Sequence, residues 1–197
     1  MSKLLWSLKS RIYPFMRRVP GIAGILRREN AGVRALLNQV PLKAMERVLD
    51  LGTGRGNTLT LLAKRSAFRF AADYSLQMLK RTKPRFPASY LVNAGATALP
   101  FKAGAFDLIA CVGLSELIPE FQALVGAIAE VLALGGCCVM TIALPKRINR
   151  MRALLGYRMY PVTSEKAERT FRECGFVIID RKYCTLQVQY LVQKVQY

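Results

Sequence analysis

The stretch VLDLGTGRGN, residues 48–57, decides how this chain folds. A short apolar run ends in a carboxylate, Asp50, and three glycines follow at alternate positions, Gly52, Gly54 and Gly56. An apolar run of this length bounded by glycines reads as a buried strand. Glycines behind a strand permit a tight turn and bring bare backbone close to a ligand. A helical pattern then begins. Strand, glycine loop and helix form a nucleotide-binding crossover, whose ligands sit at the carboxyl ends of the strands.

Outward from this stretch, strand patterns alternate with helical ones. Strands are expected at 47–51, 68–73, 89–93, 106–112, 136–143, 176–183 and 185–194. Helices are expected at 55–66, 75–83, 119–133, 147–156 and 164–174. In the last helix Ser164 is placed to cap the N-terminus, Glu165 and Glu168 lie in or near the first turn, and Gly175 ends it. Such alternation predicts an α/β fold with an open, mostly parallel sheet covered on both faces. The last two strands adjoin and are expected to form an antiparallel hairpin at the end of the sheet. Residues 1–44 carry helical spacing instead. Leu4, Leu5, Leu8, Ile12, Phe15 and Met16 share one face, Pro14 interrupts it, and Ile22, Ile25, Leu26, Val33, Leu36, Leu37 and Val40 form a second set. The expected organisation is a basic amphipathic helical extension over 1–44 and one domain over 45–197.

Composition narrows the function classes. A chain of 197 residues suits one domain, and 52% hydrophobic content excludes overall disorder. The longest apolar stretch, Ala123 to Pro145, contains Glu130 and Gly135-Gly136, so it reads as helix, turn and buried strand rather than a membrane span. Lys3 is followed by only Leu4-Leu5-Trp6 before polar residues return, too short for a signal peptide, and a cytoplasmic protein is expected. Five cysteines without C-x-x-C spacing, in a chain with no histidine, read as packing residues and not as a metal site. The net charge is +18. Ten basic residues precede Val48 against two acids, Glu29 and Glu46, and further clusters stand at Lys80, Arg81, Lys83, Arg85 and at Lys146, Arg147, Arg150, Arg152, Arg158. The excess points to a polyanionic neighbour, either nucleic acid or an anionic membrane surface. A basic amphipathic helix with Trp and Phe suits a peripheral position on the inner face of a membrane, and equally suits a lid over an active site.

The loop itself selects its ligand. A dinucleotide site needs G-x-G-x-x-G, but Asn57 stands at the third glycine, and Asp50 would repel a pyrophosphate. No G-K-[ST] follows, which excludes a P-loop. Asp50 suits a ligand that brings positive charge, and S-adenosylmethionine has an ammonium, a sulfonium and no phosphate. The next carboxylate, Asp73, is placed at the end of the second strand to accept from both ribose hydroxyls, with Tyr74 beside it to stack on adenine. The alternative is a helix N-cap, by Asp73 or by Ser75.

Five blocks carry a more specific likeness: VLDLGTGRG (48–56), AADYSLQML (71–79), ALPFKAGAFDLIAC (98–111), EVLALGGCCVMTI (130–142) and ERTFRECGFVIID (168–180). In this order the chain resembles the class I S-adenosylmethionine-dependent methyltransferases. Within them it resembles the methyltransferase type 11 branch that includes ubiquinone and menaquinone biosynthesis enzymes. The resemblance covers 47 to about 145 well and the remainder loosely. It implies a Rossmann-like, doubly wound sheet of seven strands with the last antiparallel, and S-adenosylmethionine as cofactor; the basic amphipathic residues 1–44 and 146–163, which resemble nothing closely, make a small lipid- or isoprenoid-like acceptor the expected one. The resemblance implies cofactor-binding roles for Asp50, Gly52, Thr53, Gly54, Gly56, Asp73, Tyr74, Ala94, Gly95 and Cys111. Glu116, in VGLSELIPE (112–120), is the candidate catalytic residue, facing the acceptor, with Ser115 as a second polar group; otherwise both simply open the next helix. Asp107 matches a motif but sits near the start of its strand and reads as structural.

Departures from the family pattern are local. Gly95 stands where the family carries an acid for the adenine amino group, which leaves Asn93 or a backbone carbonyl to serve. Leu134 replaces the usual proline ahead of Gly135-Gly136. Two other functions stay open. The charge suits an RNA methyltransferase, although Cys111-Val112-Gly113-Leu114 lacks the proline-rich tetrapeptide of base-amino methylases. The missing adenine acid suits a non-catalytic binding module.

Overall fold

The alternation of apolar runs becomes an alternation of strands and helices. The structure, a computed structural model, describes residues 20–41, 45–63, 66, 68–145 and 158–196. It begins with helix α1 (Pro20–Leu37) and strand β1 (Arg47–Leu51). There follow the one-turn helix α2 (Leu59–Leu62), β2 (Phe68–Asp73), α3 (Leu76–Thr82), β3 (Tyr90–Asn93) and β4 (Phe106–Cys111). The chain continues through α4 (Phe121–Val131), β5 (Leu132–Ala143), α5 (Ser164–Glu173), β6 (Phe176–Tyr183) and β7 (Gln187–Lys194). Single 3-10 turns occupy Lys83–Arg85 and Ser115–Leu117.

The strands form one sheet in the order β3-β2-β1-β4-β5-β7-β6. Strands β1 to β5 run parallel, and β7 is antiparallel to both β5 and β6. This is the seven-stranded Rossmann-like sheet expected from the sequence. The hairpin also forms as expected, with β7 inserted between β5 and β6. The strand order reverses between β1 and β4, so the loop after β1 opens at the topological switch point, where such sheets bind ligands.

Alternation along each central strand feeds two cores. Leu49, Leu51, Phe106 and Ile109 pack with Phe121, Val125 and Phe171 of α4 and α5. On the opposite face Val48, Leu108, Val139 and Leu191 pack with Val33, Leu36 and Leu37 of α1. Helix α1 is thus a core element, its apolar side chains recurring three and four residues apart toward the sheet. It approaches closely at Gly32, where the buried amide of Gln189 fills the space that a Cβ would need. That amide donates to the carbonyl of Glu29 at 2.9 Å. At the amino ends of the strands, Asp107 accepts from the Arg47 amide at 2.8 Å and ties β1 to β4, a structural role.

Several local expectations are corrected. The helix expected over 55–66 shrinks to Leu59–Leu62, because Gly56, at φ +77°, donates to Thr53 and holds 54–58 in turns. The fifth strand starts at Leu132 rather than 136; Phe106 pairs with Leu132 before the register shifts, so the two glycines lie inside the strand. Thr163, not Ser164, caps α5, its hydroxyl accepting from the Lys166 amide at 3.3 Å. The helix expected at 147–156 and the apolar face before Pro20 lie outside the described residues. Among the described residues no helix is long and apolar enough to cross a membrane.

Leu36 is fully buried, and its truncation leaves a cavity between α1 and the sheet. Leu36→Ala is expected to cost about 2–4 kcal/mol and to lower the melting temperature by roughly 5–15 °C for a chain of this size. An unchanged thermal transition would mean that α1 is a detachable appendage.

Candidate active site

The carboxyl ends of β1, β2 and β4 converge on the glycine loop. Its conformation starts with hydrogen bonds to the neighbouring strand: the amides of Gly52 and Thr53 both donate to the Ala72 carbonyl, at 2.8 and 3.1 Å. Gly52, Gly54 and Gly56 all have positive φ, at 74°, 53° and 77°, a region other residues enter only with strain.

Asp50 lies beneath this loop rather than on it, 1% exposed. Its carboxylate accepts from the Thr53 hydroxyl at 2.7 Å and from the backbone amide of Leu59, the first residue of α2. One buried group therefore fixes both the turn and the helix start. Burial pushes its pKa up to about 7, against the pull of these hydrogen bonds, and the nearby Asp73 charge adds to the rise.

Asp73 ends β2 and faces the same loop. One carboxylate oxygen accepts from the Gly54 amide and the other from the Ser75 amide, both at 2.8 Å. Partial burial raises its pKa, opposed by the same two bonds. Ser75, not Asp73, caps α3, its hydroxyl accepting from Met78. Tyr74 stands beside Asp73 and is half exposed, with 54% of its surface in solvent. Gly54 is pinned from its other side as well, because its carbonyl accepts from Thr82 Oγ1 at 2.9 Å. Thr82 carries no local sign of this role in the sequence.

The next strand end contributes less than expected. Asn93 Nδ2 donates to the carbonyls of Asp73 and Tyr74, at 2.8 and 2.9 Å, so its amide nitrogen braces β2. Ala94 donates its amide to the Asp73 carbonyl at 3.2 Å. A Cβ added at Gly95 or Gly113 would meet nothing within 4 Å, and one at Gly54 only the Gly52 carbonyl at 3.9 Å. These three glycines leave open space around the mouth formed by the strand ends.

Cys111 closes β4 and is fully buried. Burial pushes its thiol well above the usual range, and the neighbouring acidic groups push in the same direction. It stays protonated and packs; it is no nucleophile. Glu116 and Ser115 follow β4 in a buried 3-10 turn. The Glu116 carbonyl accepts from the Tyr160 amide at 2.7 Å, which straps residues 158–162 across the site. Arg158 in this strap is exposed, its guanidinium 5.9 Å from the Tyr160 ring centroid. Within the basic cluster after β2, Lys83 Nζ donates to the carbonyls of Pro87 and Ser89, and Arg85 to the carbonyl of Arg55. Those cations hold loops together as well as lending surface charge. Lys146, Arg147, Arg150 and Arg152 lie outside the described residues. Among the described residues no cluster of His, Cys, Asp or Glu is arranged to hold a metal ion.

Comparison with known proteins agrees with this geometry. A family described as "Methyltransferase domain" matches residues 48–136. The chain is 35% identical over 113 residues to the trans-aconitate 2-methyltransferase of Paracidovorax citrulli, spanning 56% of this chain and 43% of that protein. It is 30% identical over 134 residues to the demethylmenaquinone methyltransferase of Thermus thermophilus, spanning 65% and 59%. The matches thus span about half the length of these relatives. Among solved structures, an S-adenosylmethionine-dependent methyltransferase from Mesorhizobium loti shares the fold with a TM-score of 0.72 at 17% identity, over 81% of this chain and 96% of that one.

The raised pKa of Asp50 has a thermodynamic consequence. The folded state holds a proton that the unfolded state releases between pH 3.8 and about 7, so stability is greatest at low pH and falls as pH rises through this window. Between pH 5 and 8 the expected loss is about 2–3 kcal/mol. Chemical denaturation across that range should show this slope in the parent protein and not in Asp50→Asn. Equal slopes in the two proteins would mean that Asp50 is already ionised in the fold.

Proposed function

We propose that the chain, which a methyltransferase-domain family matches over residues 48–136, is a class I S-adenosylmethionine-dependent methyltransferase that transfers a methyl group from S-adenosylmethionine to a small lipid- or isoprenoid-like acceptor. The observation that carries this reading is the pair of carboxylates at two neighbouring strand ends. Asp50 is buried beneath the glycine loop, and Asp73 is bonded to that loop through Gly54.

The residues fit such a donor. Each Asp73 oxygen accepts one backbone amide, which leaves further acceptor capacity for a ribose diol. Tyr74 offers an exposed ring for adenine, and the open backbone at Gly54 allows close approach. Once ionised, Asp50 supplies a negative field that favours the ammonium end and opposes pyrophosphates. The bound donor would supply a sulfonium-activated methyl group, so the chain mainly has to hold the acceptor in line, about 3 Å away, and exclude water. With no histidine in the chain, Glu116 is the candidate base for an acceptor that must lose a proton.

Two features support the acceptor class. Both relatives named above act, by name, on small molecules. The basic, apolar residues before Pro20 suit attachment to an anionic membrane surface, with about 1 kcal/mol from each interfacial Lys or Arg. An isoprenoid acceptor would be reached from that surface, on the cytoplasmic side.

Calorimetric titration with S-adenosylmethionine and S-adenosylhomocysteine tests the donor. Micromolar binding of both is expected, and no binding to folded protein would overturn the reading. Asp73→Asn should weaken binding by at least about tenfold, the scale of a hydrogen bond to a charged group; since the asparagine NH2 cannot accept from a backbone amide, the melting temperature should also fall, by a few degrees for about 1 kcal/mol. The acceptor is tested by incubating protein and methyl-labelled donor with total lipid extract and, separately, with total RNA. Label in lipid is expected; label in RNA alone would replace the acceptor class.

The open space at Gly95 gives an independent test of adenine placement. Gly95→Asp is expected to fold normally and to tighten S-adenosylhomocysteine binding by roughly three- to tenfold, the value of one added hydrogen bond. Weaker or unchanged binding would place adenine elsewhere.

A further inference from the structure

The segment leaving β4 is held by a residue that has no role in the site so far. The ladder between β4 and β5 ends at Cys111 and Met140. One residue further on, Thr141 takes over with two different atoms. Its hydroxyl accepts from the Gly113 amide at 2.8 Å, and its carbonyl accepts from the Ser115 hydroxyl at 2.7 Å. Thr141 is 0% and Ser115 1% exposed, so the Ser115 bond is shut off from water, while the bond from the exposed Gly113 is part-buried. Between them the chain turns through Gly113 at φ +69°.

Two more contacts fasten the same segment. The side chain of Leu114 lies over Gly52, where an added Cβ would come within 2.9 Å of it. The Tyr160 amide holds the Glu116 carbonyl at 2.7 Å. Gly113 to Glu116 is therefore anchored to the glycine loop, to β5 and to the strap, with Thr141 as the anchor in the sheet. In a buried strand position a valine would pack equally well, whereas a hydroxyl must find a partner there. The partner of this hydroxyl is the loop.

We propose that Thr141 is a positioning residue for methyl transfer, setting the Gly113–Glu116 segment so that Glu116 faces the acceptor. It rests on the methyltransferase reading and on the place given there to Glu116. Thr141 acts through the segment it holds; a loop shifted by about 1 Å lowers the rate roughly a hundredfold in a site that works by alignment.

The test compares Thr141→Val, which keeps the shape and removes the hydroxyl, with Thr141→Ser, which restores the hydroxyl. Three quantities are measured: S-adenosylhomocysteine affinity, the rate of methyl incorporation into total lipid extract at saturating donor, and amide exchange at Gly113 by NMR. For Thr141→Val the expected rate loss is roughly ten- to a hundredfold, with donor affinity within about twofold and faster exchange at Gly113. Thr141→Ser is expected to recover the rate to within about threefold and to restore protection of the amide. A valine variant with the parent rate, or a serine variant that fails to recover, overturns the proposal. So does a loss of donor affinity in proportion to rate, which marks a general structural defect. If the lipid extract yields no product, exchange decides, and parent-like protection of Gly113 in Thr141→Val overturns it. Absence of donor binding in the parent protein instead defeats the methyltransferase reading, while the exchange comparison still reports on the clamp.

Discussion

A single buried carboxylate holds the upper end of this sheet together. Asp50 lies one residue before the end of β1, and its two hydrogen-bonding partners are the turn and the first helical residue that follow it. Placing an ionisable group where water cannot reach it is costly, and the raised pKa is the measure of that cost. The arrangement persists because those hydrogen bonds determine the path of the glycine loop. Once the loop is placed, the Gly54 amide meets Asp73 and the Gly54 carbonyl meets Thr82, so β1, β2 and α3 become parts of one assembly.

The loop after β4 is coupled to this assembly by packing. Leu114 rests on Gly52, and the absence of a side chain there lets the loop after β4 approach the loop after β1. Any other residue at Gly52 would face both a strained backbone and a collision. The loops after β1 and β4 are in this way parts of a common structure, as the proposed methyl transfer, a reaction that depends on alignment, would require.

The strong positive charge has an internal use as well as an external one. Lys83 donates to the carbonyls of Pro87 and Ser89 after α3, Arg85 to the Arg55 carbonyl in the glycine loop, and Lys194 to the carbonyls of Ala129 and Leu132 at 2.6 and 2.8 Å, where α4 passes into β5. Cations placed at such carbonyls satisfy acceptors that the chain leaves open where helices end. Part of the excess of Lys and Arg thus serves the fold itself.

Strand order, the parallel sheet and the terminal hairpin were legible in the sequence, and Asp50 and Asp73 stood out as carboxylates at strand ends, because each depends on local periodicity or on glycine spacing. The bounds of β1, β2 and β6 were legible to the residue, helped by Gly52 directly after β1 and Gly175 directly before β6. What the sequence could not show depends on which segments meet. The shortening of α2 follows from hydrogen bonds that close around Gly56, and the start of β5 at Leu132 follows from pairing with a distant Phe106. Asp50 reads in sequence as a ligand-facing charge, and only the packed sheet places it beneath the loop. Thr82 and Thr141 gave no signal at all. A threonine in a helix or a strand is unremarkable until the partner of its hydroxyl is known, and those partners, Gly54 and Gly113, are each 28 residues away in sequence.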